Sequence, residues 1–406
     1  MGPNPATAER RSHRVGVVLA AILVLAVTLW PLPAALPSTG AQSFWCIDCG
    51  VQPFADFLLN IALFVPVGIA LSRGGSDVAR AMLLGGALSL LIEFAQLIVP
   101  GRDPSVRDVV ANAGGAALGA LIWSRRSMLV NPAPPSALRY GLIAATLAWL
   151  TLISGYALLQ PSVPAGTYFG QWAPRFFHRA YFDGQLLDAT LGGKPLPQGP
   201  EQSPGQLHQS LGDGLLLLDA RIVAGSQSWA FAPIAAVVDD QRREIAALGQ
   251  VGNDAVFRAR TRGAALGLAT PAVRIHRALD QGRDTALISG ERTRDGISVT
   301  VRDQRGDQHA ALRMSPGLSW VLLQPGERPA GRETPWVSAA WVALLVLPGA
   351  YWLARSGRRF ALASYALLLA LALLALPAAW NAAVAPWWEL LGTGGGIFAG
   401  RRLGRR

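Results

Sequence analysis

The chain has 406 residues, 51% of them hydrophobic and 15% charged, a balance that excludes an ordinary soluble globular protein and leaves room for two domains. Its formal charge of +11 does not mark a nucleic-acid partner, because residues 161–334 carry 19 basic and 17 acidic side chains and so account for little of it. Most of the remaining excess sits in short clusters at the ends of apolar runs, such as Arg125-Arg126, Arg358-Arg359 and Arg401-Arg402, which is the bias of cytoplasmic loops in a polytopic membrane protein.

Residues 1–14 are polar and basic, and the apolar segment 15–36 is predicted as an uncleaved first span within residues 1–37. A cleaved signal peptide is the competing reading, because small residues follow near Ala41. The next loop, Phe44-Trp45-Cys46-Ile47-Asp48-Cys49-Gly50, has no Lys or Arg around it and is expected outside the cytoplasm, where a disulfide persists. Cys46 and Cys49 are expected to form a local disulfide or to stand as structural thiols. A redox pair and half of a metal site are the functional alternatives, and the sequence has no second cysteine pair to complete a metal site.

Residues 54–124 hold three apolar segments, predicted as spans near 54–72, 80–99 and 108–124, each with a polar pair near one end. The pairs are Asp56 and Asn60, Glu93 and Gln96, and Asp108 and Asn112, and their spacings put each pair on one helix face. Ionisable groups in apolar spans cost on the order of a few kcal/mol each and face a bundle interior or a watery cavity. With Arg73 and Arg125-Arg126 inside, all three pairs fall at outward helix ends, and Arg102 and Arg107 stand in or beside the short connection between them. The expectation is a polar pocket open to the outer face, with carboxylates at its wall and arginines at its rim. Interhelical packing is the alternative, since Asn, Gln and Glu also serve as hydrogen-bond glue and Gly85, Ser89, Gly115 and Gly119 fall at close-packing spacings.

The motifs Asp56-Phe57-Leu58-Leu59-Asn60, Phe64-Val65-Pro66-Val67-Gly68, Ser89-Leu90-Leu91-Ile92-Glu93-Phe94-Ala95-Gln96, Arg102, and Arg107-Asp108-Val109-Val110-Ala111-Asn112-Ala113-Gly114-Gly115 with Gly119 resemble the VanZ-like family of small polytopic membrane proteins. The resemblance covers about a sixth of the chain. It implies a bacterial membrane protein, and some family members are associated with resistance to glycopeptide antibiotics. From the residues themselves, Asp56, Asn60, Glu93, Gln96, Arg102, Arg107, Asp108 and Asn112 are the candidate ligand-binding set. The acids and amides suit polar head-group atoms, and the arginines suit phosphate or carboxylate.

After Asn131-Pro132-Ala133-Pro134-Pro135, read as a linker, a fifth span is predicted at 138–160. Residues 168–326 have no spanning run and break into short strand-like pieces: Gly214–Ala224, Trp229–Val238, Glu244–Gln250, Ala255–Arg260, Ile297–Arg302 and Ser319–Gln324. Turn signals such as Asn253-Asp254, Asp295-Gly296 and Gly306-Asp307 separate them, which predicts a β-sandwich. The stretch from Trp229 to Arg260 resembles a laminin-G or concanavalin-like sandwich, and the resemblance implies carbohydrate binding and, in some members, calcium. Asp239-Asp240 and Asn253-Asp254 supply oxygen ligands on that reading and hairpin turns on the other; Arg305-Gly306-Asp307 is read as a turn. The five histidines, His13, His178, His208, His276 and His309, are dispersed, and no nucleophile elbow or phosphate-binding loop is present. Phe176-Phe177-His178 is read as interfacial packing.

Two further spans are expected at 336–354 and 360–379, and a weaker one at Trp380–Ala399 within residues 336–400. The fold class is therefore a polytopic α-helical membrane protein of about eight spans with an inserted extracytoplasmic β-sandwich; seven spans, with the last segment in the interface, is the alternative. Glu389 is either a further member of the polar layer or a packing residue. The expected role is binding of an envelope lipid, an envelope glycan or a lipid-linked glycan in a bacterial inner membrane. No nucleic acid, cofactor or metal is expected, and no catalytic residue is assigned. A membrane-embedded enzyme on a lipid-linked substrate, with Glu93 or Asp108 as base, and a non-catalytic scaffold are the alternatives.

Overall fold

The computed structural model of the chain describes residues 5–30, 52–99, 104–162, 166–172, 180–196, 199–200, 215–226, 230–241, 243–279, 285–324, 331, 333–358, 360–380 and 383–405. Cys46, Cys49, Arg102, Phe176-Phe177-His178 and His208 lie outside the described residues. The chain forms two compact units, Met1–Pro132 and Ala133–Arg406.

The first unit is helical: α1 Pro5–Thr28, α2 Pro53–Arg73, α3 Val78–Gln96, α4 Val106–Ser124 and the short α5 Arg126–Val130. Its helix starts follow from local chemistry. Pro53 opens α2, where its missing N–H is harmless and its fixed φ suits the first turn. The Asp77 carboxylate accepts the Arg80 N–H at 2.7 Å and starts α3, while Ser105 caps α4 by accepting the Arg107 N–H at 3.2 Å. Ala20 and Val24 of α1 pack with Phe64 and Val67 of α2 and Ile92 of α3. Helices α2 and α4 meet almost backbone to backbone. A Cβ on Gly68 would lie 1.9 Å from the Ala116 carbonyl oxygen, one on Gly115 2.3 Å from that of Ile61, and one on Gly119 2.1 Å from that of Val65. Gly85 and Ala116 bring α3 against the same helix.

The second unit begins with α6 Pro134–Leu159. The residues read as a linker end in Pro134 and Pro135, which form the first turn of this helix. Among the described residues twelve strands follow: β1 Tyr168–Trp172, β2 Gln185–Leu191, β3 Lys194–Pro195, β4 Gly199–Pro200, β5 Leu216–Val223, β6 Ala232–Asp239, β7 Glu244–Val251, β8 Asp254–Ala259, β9 Ala272–Ile275, β10 Thr285–Arg292, β11 Gly296–Asp303 and β12 Gly306–Arg313. They form two antiparallel sheets of six, ordered β4-β1-β6-β7-β8-β9 and β12-β11-β10-β5-β2-β3. The sheets face one another, with the Phe257 ring seated where a Cβ of Gly290 would be.

In β5, Leu216, Leu218, Ala220 and Ile222 are buried while Leu217, Asp219, Arg221 and Val223 are more open, the alternation of a strand with one wet face. Strand β6 is buried on both faces, with Phe231, Ala236, Val238, Ala247, Val256 and Ala272 clustered together. Arg305-Gly306-Asp307 lies in the β11–β12 hairpin, where Gly306 takes a φ of +111° that favours glycine. Asp239 closes the β6–β7 turn by accepting the Arg243 N–H at 2.8 Å and its Nε at 2.6 Å.

One predicted strand is corrected. Ser319–Gln324 is not extended, because Pro316–Leu323 forms a 3-10 helix. Its Ser319 fills the space beside Gly155 of α6, and the Trp320 indole donates to the Ser338 hydroxyl at 2.9 Å. Three helices complete the unit: α7 Thr334–Arg355, α8 Ala361–Ala379, which contains a π-helical turn at Leu371–Ala375, and α9 Trp387–Gly404. The last starts seven residues later than predicted, behind Pro386. Each predicted span overlaps a helix, and among the described residues α2, α3, α6, α7 and α8 are the five helices long and apolar enough to cross a bilayer. Among the others, the apolar part of α1 is Val15–Thr28, α4 carries Arg107 and Asp108, and α9 is rich in glycine.

Candidate functional site

The first unit gathers the polar pairs at one end, where α2 and α4 begin and α3 finishes. Ser105, Val106, Arg107 and Asp108 have the S-x-x-D pattern of a capping box, in which the acid would take the N–H of the cap residue. Here a different carboxylate does so. Glu93, at the end of α3 and only 3% exposed, accepts the Ser105 N–H on Oε2 at 2.7 Å. Asp108 is thereby left to face other groups. Its Oδ1 lies 3.7 Å from Arg107 Nε, and the Asn60 amide of α2 is within hydrogen-bonding reach of its carboxylate. The Glu93 and Asp108 carboxylates are also close enough for their charges to interact.

One turn further along α4, Asn112 is buried and donates from Nδ2 to the Ser89 hydroxyl of α3 at 2.8 Å. Gln96 turns the other way and donates from Nε2 to the Thr28 carbonyl at 2.9 Å, closing the last turn of α1. Asp56 is half-buried in the first turn of α2. Glu93, Asp108, Asn112 and Asn60 thus meet, Arg107 joins them through Asp108, and Gln96 is engaged with α1. Sequence reasoning treated Ser89 as a packing position and passed over Ser105. The S-x-x-D spacing before an apolar run was the signal for Ser105; nothing local signalled that its N–H would be taken by Glu93.

Asp108 Oδ1 and Asn112 Oδ1 are buried and have no hydrogen-bond partner among the described residues. They belong to residues four apart on one face of α4. Buried oxygens without donors are unusual, and each leaves on the order of 1–3 kcal/mol of desolvation uncompensated. A group bearing hydroxyl or ammonium donors would satisfy them.

Residues 15–130 match the VanZ/LLP1 family model. The match runs from within α1 to the end of α5, takes in every residue of the polar layer, and ends before α6 and the β-sandwich. No curated protein and no solved structure matches the chain. The protein is accordingly a multi-pass membrane protein whose helical first unit is VanZ-like, joined in one chain to a second unit of helices and facing sheets.

In the second unit, Glu389 in the first turn of α9 is 1% exposed. It accepts the Ser315 hydroxyl on Oε1 and the Gly317 N–H on Oε2, the latter at 3.0 Å. Both of its oxygens are therefore engaged within that unit, holding the start of the 3-10 helix against α9. The turn acids of the sandwich are likewise bonded locally: Asp254 accepts the Arg277 N–H at 2.8 Å and lies 3.1 Å from His276 Nδ1. Among the described residues no group of three His, Cys, Asp or Glu side chains is arranged to hold a metal ion.

Proposed function

We propose that the VanZ-like unit binds the polar part of an envelope lipid or lipid-linked glycan through Glu93, Asp108, Asn112 and Asn60. The observation that carries this reading is that the buried Asp108 Oδ1 and Asn112 Oδ1 accept no hydrogen bond among the described residues, the Arg107 Nε standing 3.7 Å from Asp108. Packing alone would favour side chains that satisfy one another, whereas a ligand with sugar hydroxyls or an ammonium group supplies the missing donors. Arg107, beside Asp108, and Arg102 would complement the phosphate of such a ligand. The expected setting is a bacterial inner membrane, with this end of the unit and the β-sandwich facing outward; the sandwich, on its resemblance to laminin-G and concanavalin-like domains, is the candidate reader of the glycan. An effect on glycopeptide susceptibility is the cellular consequence expected from the family.

A second reading, a membrane-embedded enzyme on the same ligand, draws on Asp108, whose Oδ1 accepts no hydrogen bond among the described residues while Arg107 and Asn60 stand beside the group. Native mass spectrometry of the detergent-purified full-length protein beside Asp108→Asn tests both readings. A specific lipid retained by the wild type and lost from a variant of unchanged melting temperature supports binding. If the variant keeps the lipid but no longer converts it, the enzyme reading holds. Equal cargo on both proteins, with no turnover on either, sinks both.

A further inference from the structure

A second buried polar layer lies inside the second unit, where α6 meets the base of the β-sandwich. Pro161, just past α6, bridges to Thr261, and the Arg262 N–H donates to the Gln160 carbonyl at 2.9 Å. Arg292, the last residue of β10, points into this junction and is 4% exposed. Its Nη1 donates to the Arg260 carbonyl at 2.8 Å, its Nε is buried without a partner, and among the described residues no carboxylate pairs with it. Two fully buried hydroxyls belong to the same junction: among the described residues Thr261 Oγ1 has no hydrogen-bond partner, and Tyr156 Oη has none closer than the Gln160 side chain within reach of it.

A buried guanidinium without a counter-charge is an expensive group to keep. Burial pulls Arg292 down to about 10, still far above neutrality, so the group is a cation under physiological conditions. Its planar fork offers donors only, and the neighbouring hydroxyls can each donate one more hydrogen bond, the complement of an oxyanion.

We infer that the junction of α6 with the β-sandwich holds a phosphate group on Arg292, with the Thr261 and Tyr156 hydroxyls in the same buried layer as further donors. The inference concerns the second unit and stands apart from the proposed function of the first. A lipid head group and free phosphate share this chemistry, and the experiment separates them.

The full-length protein, delipidated in maltoside micelles in a phosphate-free Tris buffer, would be melted alone, with added inorganic phosphate, and in mixed micelles containing phosphatidylglycerol. The expected result is a rise in wild-type melting temperature that saturates with one of the two additives; phosphate acting alone assigns a free ligand, and a response to the lipid only assigns a head group. Arg292→Gln should bind at least about tenfold more weakly, whereas Arg221→Gln, at an exposed arginine on β5, should respond like the wild type. Without either additive, Arg292→Gln should melt at or above the wild type, because an uncompensated buried charge has been removed. No response in the wild type overturns the inference whether or not the variant folds. An equal response in Arg292→Gln, or a variant destabilised by the same amount in all three conditions, overturns it as well, since that is the behaviour of a purely structural bond to Arg260. Thr261→Val supplies the second variant, with a severalfold weaker response expected and an unchanged one counting against the site.

Discussion

Glu93 shows how much one side chain's meaning depends on where its oxygens point. As a carboxylate in an apolar helix it is costly, yet its Oε2 replaces the missing intrahelical acceptor for Ser105 N–H at the start of α4. Glu93→Ala should therefore destabilise the protein by about 1–3 kcal/mol, because a buried N–H loses its acceptor. Glu93→Gln, which keeps an oxygen at that place, should cost less. Melting temperatures of the two variants in detergent check the order, and equal losses would show that the charge matters more than the acceptor.

A carboxylate of the sandwich gives a pH test away from the membrane. The hydrogen bonds from Arg305 hold Asp303 below the ordinary carboxylate range, chiefly through the guanidinium and also through the backbone N–H at 2.8 Å. A folded value below the unfolded 3.8 means stabilisation that is complete above the unfolded value and disappears as pH falls through the folded one. Melting curves from about pH 6 to about pH 3 should show the wild type losing stability at the acid end, with Asp303→Asn losing less over the same interval.

At the scale of elements, glycine decides which helices can touch. The α2–α4 contact leaves no room for a Cβ at Gly119, only 2.1 Å from the Val65 oxygen, whereas a Cβ at Gly114 would meet nothing within 4 Å. Gly119→Val should cost at least about 1–3 kcal/mol through forced separation of the helices. Gly114→Ala, on the open side of the same helix, should leave the melting temperature unchanged or raise it. The pair of variants, melted side by side in detergent, separates packing from helix propensity.

The same device explains α9, which reads as a weak segment by composition. Gly392, Gly396, Gly400 and Gly404 form one buried stripe. At these positions a Cβ would lie 2.2 Å from the Ala339 oxygen, 2.7 Å from that of Ala343, 2.7 Å from Ala350 Cβ and 2.5 Å from the Tyr351 oxygen of α7. What lowers the intrinsic propensity of α9 is what lets it lie flat on its neighbour.

For the whole molecule, the charge bias makes a topology prediction. In a variant with Cys46 and Cys49 replaced by serine, a single cysteine at the exposed Lys194 of the sandwich should react with a membrane-impermeant maleimide added to spheroplasts. Cysteines at Arg126 and Arg355, at the basic ends of α4 and α7, should react only after lysis. Labelling of Arg126→Cys from outside would reverse the orientation of the first unit.

The apolar runs, their basic ends and the period-two pieces between residues 168 and 326 were enough to read spans, loops and a sandwich from sequence, because burial and the bilayer impose those periods on any chain. The three polar pairs were legible too, since charges in apolar runs stand out. Their division of labour was not. That Glu93 caps a neighbouring helix, that Gln96 closes α1, and that Asp108 and Asn112 each keep an oxygen without a hydrogen bond among the described residues depends on contacts between residues up to 68 positions apart. Nothing in the local sequence marked Arg292, which is buried at the end of β10. Local periodicity determines which face of an element is apolar; only the tertiary structure decides which donor meets which acceptor, because that pairing is made across elements whose relative register no local pattern records.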